Sequence, residues 1–280
     1  MITALDHMVL LCPDIQAGIA AYGVIMGTDP VWQARAEGSA SAVFAVGNTA
    51  LELVAPDGEG EVAERLRAMT ADGGKLTSLA YRTDMIDETH RLLGRRGLDP
   101  SAVTGGRSED IESGAVRTWR RLRIPDAQMA GIKSFVLENG GVSLGPAETR
   151  VGAVSSLDHI VINTPNPDRA VANYGARLGL RFALDRNAPQ WNTRFLFFRV
   201  GDLTLEIIHR LDQKNDPGKD DHIWGLTWAV ADLEAAHDRL GKAGRDISEI
   251  RDGRKPGSRV FTIRDGTLGV PTLFIGHTAS

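Results

Sequence analysis

Residues 4–27 read ALDHMVLLCPDIQAGIAAYGVIMG, and residues 156–179 read SLDHIVINTPNPDRAVANYGARLG. At an offset of 152, Leu5, Asp6, His7, Val9, Pro13, Tyr22, Gly23 and Gly27 coincide with Leu157, Asp158, His159, Val161, Pro165, Tyr174, Gly175 and Gly179. The likeness resumes in VGNTALELV (46–54) and VGDLTLEII (200–208), where Gly47 meets Gly201 and Glu52 meets Glu206. A quieter repeat aligns residues 80–97 with 227–244 at an offset of 147 and sets His90 opposite His237. Self-similarity of this kind decides the architecture before any motif does. The chain reads A-B-A′-B′, with a boundary near Pro146–Ser155 and expected domains at 1–148 and 155–278.

Each odd quarter has the same coarse pattern. LDHMVLL is a short apolar run of strand type. Pro13 and Asp14 break it and open a helix, with Asp14 or a neighbour as its cap. IQAGIAAYGVIM carries apolar residues at helical spacing, and Gly27 follows as a stop. A strand is expected over Pro30–Ala36, then SAVFAVG and TALELV alternate about Gly47-Asn48, a tight-hairpin signal. The third quarter repeats the order with LDHIVIN, DRAVANYGARLG, LRFALDR, TRFLFFRVG and LTLEIIH. The even quarters open on a strand and a helix and end in SFVLENG and TLFIGH. The expected fold class is α+β: four βαβββ units in tandem.

Composition narrows the function. In 280 residues, Lys and Arg number 32 against 36 Asp and Glu, for a net charge of −4. That balance lacks the basic excess of a nucleic-acid binder. No window approaches the roughly 18 apolar residues of a membrane span. Met1–Asp6 show no basic region leading into an apolar stretch, so no signal peptide is expected and the expected location is the cytoplasm. Cys12 is the single cysteine, which excludes an intrachain disulfide and a cysteine zinc site. Neither GxGxxG nor a phosphate loop occurs. The expected partner is a small molecule.

Four units with LDH opening the odd ones and LEL or LEI closing them resemble the vicinal oxygen chelate superfamily. It includes glyoxalase I, extradiol dioxygenases, methylmalonyl-CoA epimerase and resistance proteins. RTWRRLRIP (117–125) and GRKPGSRVFTIRDGTLGVP (253–271) are similar to tandem bacterial glyoxalase-like proteins. The resemblance implies two glyoxalase-like barrels, each an incompletely closed eight-stranded sheet cupping a cavity. It also implies a divalent ion (Zn, Ni, Mn or Fe) that takes neighbouring substrate oxygens and stabilises an enolate, and it leaves room for a homodimer.

On that resemblance the candidate metal ligands are His7, Glu52, His159 and Glu206, with Glu52 or Glu206 as the catalytic proton acceptor. As bare chemistry, one His and one Glu on neighbouring strands is a weak constellation, and a buried structural histidine explains it equally well. The even units argue against a full set. Alignment places Ser78 and Gly225 where a histidine ligand would stand. Val136 and Phe274, or Phe135 and Leu273 after a one-residue slip, occupy the closing-strand positions. Pairing of the first unit with the third would rescue a two-His, two-Glu site of glyoxalase I type. A dioxygenase, which needs two His and one carboxylate, ranks low.

Other residues add detail. Arg117, Arg120, Arg121 and Arg123 alternate in the second unit, and Arg251, Arg254, Lys255, Arg259 and Arg264 cluster in the fourth. A solvated face is the plainer reading; an anion clamp is the sharper one. The expected substrate-binding residues are Arg254, Arg259, Trp191 and Trp224, with Trp228 nearby. The second cup is favoured, with Gly225 expected to leave space opposite His159. His209 is expected on the far strand face, against solvent or an interface. His90, His237 and Cys12 are expected to pack. The expected activity is binding, with isomerisation or cleavage, of a small, oxygen-rich, anionic molecule by a metal-dependent lyase or isomerase. The alternative is a metal-free, non-enzymatic binding protein of the resistance type.

Overall fold

Asp14 does cap the first helix: its Oδ1 accepts from the Ala17 N–H at 2.6 Å, and Gly27 ends the helix at φ 70°. A computed structural model describes residues 1–141, 144–145 and 147–277. Pro146, at the expected junction, and residue 278, at the expected end of the second domain, lie outside the described residues. The first half runs β1 (Ile2–Leu11), α1 (Ile15–Met26), β2 (Trp32–Ala36), β3 (Ser39–Val46), β4 (Thr49–Pro56), α2 (Glu61–Met69), β5 (Lys75–Thr83), α3 (Ile86–Arg95), β6 (Thr104–Glu109), β7 (Val116–Ile124) and β8 (Lys133–Gly140). The second runs β9 (Val154–Asn163), α4 (Pro167–Ala170) continued by wider π turns over Val171–Arg177, β10 (Arg181–Ala188), β11 (Thr193–Val200), β12 (Leu203–Arg210), β13 (His222–Val230), α5 (Leu233–Lys242), β14 (Arg251–Asp252), β15 (Ser258–Ile263) and β16 (Thr272–His277). The fold is α+β, built of tandem βαβββ units. Helix α2 was not expected from the apolar pattern, because only Ala63 and Leu66 of it are buried.

Two eight-stranded sheets result, ordered β2-β3-β4-β1-β5-β8-β7-β6 and β10-β11-β12-β9-β13-β16-β15-β14. Units therefore pair in chain order, β1 antiparallel to β5 and β9 antiparallel to β13. One core fills the helix side of both sheets and runs between the halves, with Tyr22, Tyr81, Tyr174 and Trp228 fully enclosed. A helix contact also crosses the divide. Arg239 of α5 donates to the Val24 and Ile25 carbonyls that end α1. Asn48, in the β3–β4 turn, exchanges two hydrogen bonds with the Leu157 backbone at 2.8 and 2.9 Å and so imitates a strand neighbour for β9. No helix is long and apolar enough to cross a membrane among the described residues.

The two cups differ in how they close. In the first, the β6–β7 loop reaches the free edge of β2: Gln33 N–H donates to Asp110 Oδ1 at 2.8 Å and Ile111 N–H to the Gln33 carbonyl at 2.9 Å. Trp32, Ala34, Val43 and Ala50 form a small apolar cluster beside that edge, packed by Ala115 and Leu144. In the second, β14 is only two residues long and β10 is exposed over Arg181–Asn187. Among the described residues no hydrogen bond joins those edges.

Candidate functional site

The LDH signature is a β-bulge. On β9, Leu157 pairs with Trp228 and His159 with Thr227, which leaves Asp158 as the extra residue. On β1, Leu5 pairs with Tyr81 and His7 with Ala80, which leaves Asp6. Successive side chains of a regular strand point to opposite faces; a bulge is what brings neighbours together. Asp158 Oδ1 lies 2.7 Å from His159 Nδ1, and Asp6 Oδ1 lies 2.8 Å from His7 Nδ1. The carboxylate claims the Nδ1 proton and turns Nε2 into the cup. There His159 Nε2 stands 3.5 Å from Glu206 Oε2 and accepts from the Thr227 hydroxyl at 2.9 Å. His7 Nε2 stands 3.4 Å from Glu52 Oε2, and Ala80 occupies the place of Thr227.

Electrostatics follow from these contacts. Burial raises the Glu206 carboxyl above its usual range, more than the nearby His159 and Arg254 lower it. The hydrogen bond from His159 holds Asp158 below the usual carboxylate range. Burial opposes a charge on His7, but its hydrogen bond to Asp6 and the charge of Glu52 outweigh that, so His7 keeps its proton to higher pH than usual. A raised histidine stabilises the fold below its unfolded value, about 6.5, and loses that contribution as pH rises through the folded value. The stability lost in His7→Gln is therefore expected to be larger at about pH 5.5 than at about pH 9 in urea denaturation. A pH-independent loss would refute the assignment.

Around the second dyad the sheet assembles an aromatic wall. Phe197 is opposite Glu206 in register, and Phe195 follows on the same face. Their rings stack at 6.0 Å, and Trp191 meets Phe195 edge-on at 6.1 Å. The Arg254 guanidinium lies over the Trp191 ring, 4.4 Å from its centroid. His159, Glu206, Trp191 and Arg254 are thus gathered in one open cup.

Several expected residues stand elsewhere. Arg259 turns to the helix side and pairs with Glu234 of α5, because it shares a strand face with the buried Phe261. Trp224 is the extra residue of a β13 bulge and is exposed. Trp228 is wholly buried on the core face. Gly225 leaves no vacant space: a Cβ there would come within 2.6 Å of the Pro271 carbonyl oxygen. His209 is on the far face but is buried, with Nδ1 on the Thr164 carbonyl at 3.0 Å, rather than at solvent. On the closing strands, Phe135 and Leu273 share the cup face with Ala80 and Thr227, whereas Val136 and Phe274 are core. Cys12 is buried and its thiol is pushed up to about 11.

Chain-order pairing puts His7 with Glu52 in one sheet and His159 with Glu206 in the other, so the two-His, two-Glu set does not form within the chain. Each cup offers two donors, whereas a catalytic transition-metal site takes three protein ligands. No group of three His, Cys, Asp or Glu placed to hold a metal occurs among the described residues. The Nε2 atom of His159 is also already engaged by Thr227. The donor set does not fit the implied Zn, Ni, Mn or Fe ion. Two shallow recesses of about 480 and 430 Å³ lie on the β6–β7 ribbon. Their Arg107, Arg120 and Glu138 already pair with one another's neighbours or with each other.

Comparison with known proteins agrees with this geometry. A family described as a glyoxalase-like domain matches residues 5–141, and the Glyoxalase/Bleomycin resistance protein/Dioxygenase superfamily matches residues 158–262. The chain belongs to the vicinal oxygen chelate superfamily. It is 28% identical over 131 residues to an ethylmalonyl-CoA/methylmalonyl-CoA epimerase of Cereibacter sphaeroides, a match spanning 44% of this chain and 88% of that protein. A triply substituted 4-hydroxymandelate synthase of Streptomyces coelicolor superposes with a TM-score of 0.71 at 13% identity, covering 100% of this chain and 94% of that one. A halotolerant catechol dioxygenase superposes with a TM-score of 0.62 at 13% identity, covering 99% and 87%. At such identities these structures show the fold alone.

Proposed function

We propose that the second cup, within a domain spanning 155–278, binds a small oxygen-rich organic anion and moves a proton on it, as an isomerase or epimerase would. The observation that carries this reading is the Asp158–His159–Glu206 chain facing Arg254 in an open cup. Arg254 receives the substrate's anionic group. Glu206 takes the proton from a carbon next to a carbonyl; the C–H electron pair passes into the enolate, and the proton returns to the same carbon or its neighbour. The Thr227 hydroxyl, turned from His159 Nε2 to the substrate, donates to the enolate oxygen, and Asp158 holds the His159 ring in place beside it. Burial suits Glu206 to the task, since a base with a raised pKa holds a proton more firmly once taken. The 28% identity to an epimerase supports proton transfer as the reaction class.

The alternative, binding without chemistry, is favoured by the shortfall of metal donors. One experiment separates the two. Small 2-substituted acyl acids and their thioesters, found to bind by thermal shift, are incubated with the protein in D2O. Proton NMR then follows the signal of the carbon beside the carbonyl. Loss of that signal is expected; a ligand that binds and keeps its proton would leave the binding protein as the answer.

A further inference from the structure

We infer, building on the anion-binding reading of the second cup, that its preferred ligands are aryl-substituted carboxylic acids. The inference rests on how the two cups differ at equivalent strand positions. Opposite Glu52 the first cup has Val43, followed by Ser41; opposite Glu206 the second has Phe197, followed by Phe195. Both cups hold an arginine over a tryptophan, Arg117 on Trp32 and Arg254 on Trp191, but directly opposite the glutamate the second presents stacked phenylalanine rings where the first presents an aliphatic and a hydroxyl side chain. Packing accounts for Phe195, which is buried, but not for Phe197, because the main core lies on the other face, where Leu196 and Phe198 are fully buried. Phe197 is only partly buried, and Trp191 is 37% exposed. Rings left at an open cup face supply a flat apolar surface for another ring, and offset or edge contacts of aromatic pairs add to the area they bury.

Arg254 completes the recognition. Its guanidinium rests on Trp191, which fixes it at the rim of the wall. Among the described residues it has no carboxylate within 4.0 Å and no hydrogen-bond partner, whereas Arg194 and Arg259 of the same half are both paired. A fork of unused donors at the end of an aromatic wall matches a carboxylate attached to a ring through a short linker. Trp191 is a positioning residue, since it acts through Arg254.

The test compares two acids with the same head group by isothermal titration: benzoylformate and 2-oxobutyrate. Benzoylformate is expected to bind at least about tenfold more tightly. Phe197→Leu, checked for an unchanged thermal midpoint, is expected to cut that preference below about threefold, and Arg254→Gln to weaken both acids alike. Equal affinity of the unsubstituted protein for the two acids, or a preference untouched by Phe197→Leu, would overturn the aryl inference and leave the anion reading standing. Absence of binding for both acids at millimolar concentration would overturn the anion reading along with it.

Discussion

Glu206→Gln is expected to lower the rate of proton exchange on a bound ligand by about 10²- to 10⁴-fold, the usual worth of a positioned general base. Gln keeps the size of the side chain and removes only its capacity to take a proton, so affinity should change far less than rate. Glu52→Gln, made at the equivalent position of the first half, should leave exchange unaffected. The reason is the setting: in the first half Ala80 stands where Thr227 meets His159, and Val43 where Phe197 faces Glu206, so the Glu52 pair lacks the hydroxyl donor and the aromatic wall of the second cup. The pH profile provides an independent check. Glu206 acts when ionised, and burial raises it, so the rate should climb with pH through a value above the ordinary carboxylate, about 4.3. An exchange rate that falls equally in the two variants, or that survives Glu206→Gln, would place the chemistry elsewhere.

The fold was legible because duplication wrote it twice. The recurrence of LDH, YG and the Gly-x-x-x-x-Glu spacing marked equivalent strands and helices, and binary patterning supplied their types. The candidate pairs were legible for the same reason. Their partners were not. Asp6 and Asp158 belong to the very signature that was read, but a regular strand would turn them away from the histidines; only the bulge brings them alongside. Thr227 was hidden because hydroxyl residues are ordinary in strands and its counterpart is Ala80. Phe195 and Phe197 looked like any apolar strand, TRFLFFRV, in which the rings of the cup face and those of the core face alternate. Arg254 and Arg259 are five residues apart, and nothing local says that one lies on Trp191 and the other on an outer helix. Nor does the sequence announce that Gly225 is small because the Pro271 backbone crosses it. Register and sheet closure are tertiary facts, and the bonded edge of β2 in one cup, against edges of β10 and β14 that no hydrogen bond joins among the described residues in the other, is one of them.

The largest expected effect on stability comes from Asp221, which lies on the segment between β12 and β13. Its side chain is wholly enclosed; Oδ1 accepts from the Thr164 hydroxyl at 2.7 Å and from Arg169 Nη2 at 2.8 Å. Arg169 also donates to the carbonyls of Pro217 and Lys219 at 3.0 and 2.7 Å, which straps that segment to α4. The Asp221 N–H donates to the Ala130 carbonyl at 2.8 Å and so links the halves. Burial pushes the Asp221 carboxyl up in spite of Arg169, which means that desolvation costs more than the pair returns. Removing one member of such a pair leaves the other charge uncompensated, so Asp221→Ala should cost about 3–5 kcal/mol in urea denaturation. Arg169 keeps some contact with solvent, with 21% of its side chain exposed, which favours the lower end. Asp221→Asn, which preserves an acceptor for Thr164, should cost less. The sign of the pH dependence follows from the raised carboxyl. Its contribution is fully present below the unfolded value of about 3.9 and is lost as pH rises through the folded one. The stability of the native protein relative to Asp221→Asn should therefore decline as pH rises through that higher value. Replacing both partners, Arg169→Met with Asp221→Leu, should recover part of the loss because no charge is then left buried. A cost below about 1 kcal/mol for Asp221→Ala, the range of an exposed ion pair, would show that the network does not hold the segment.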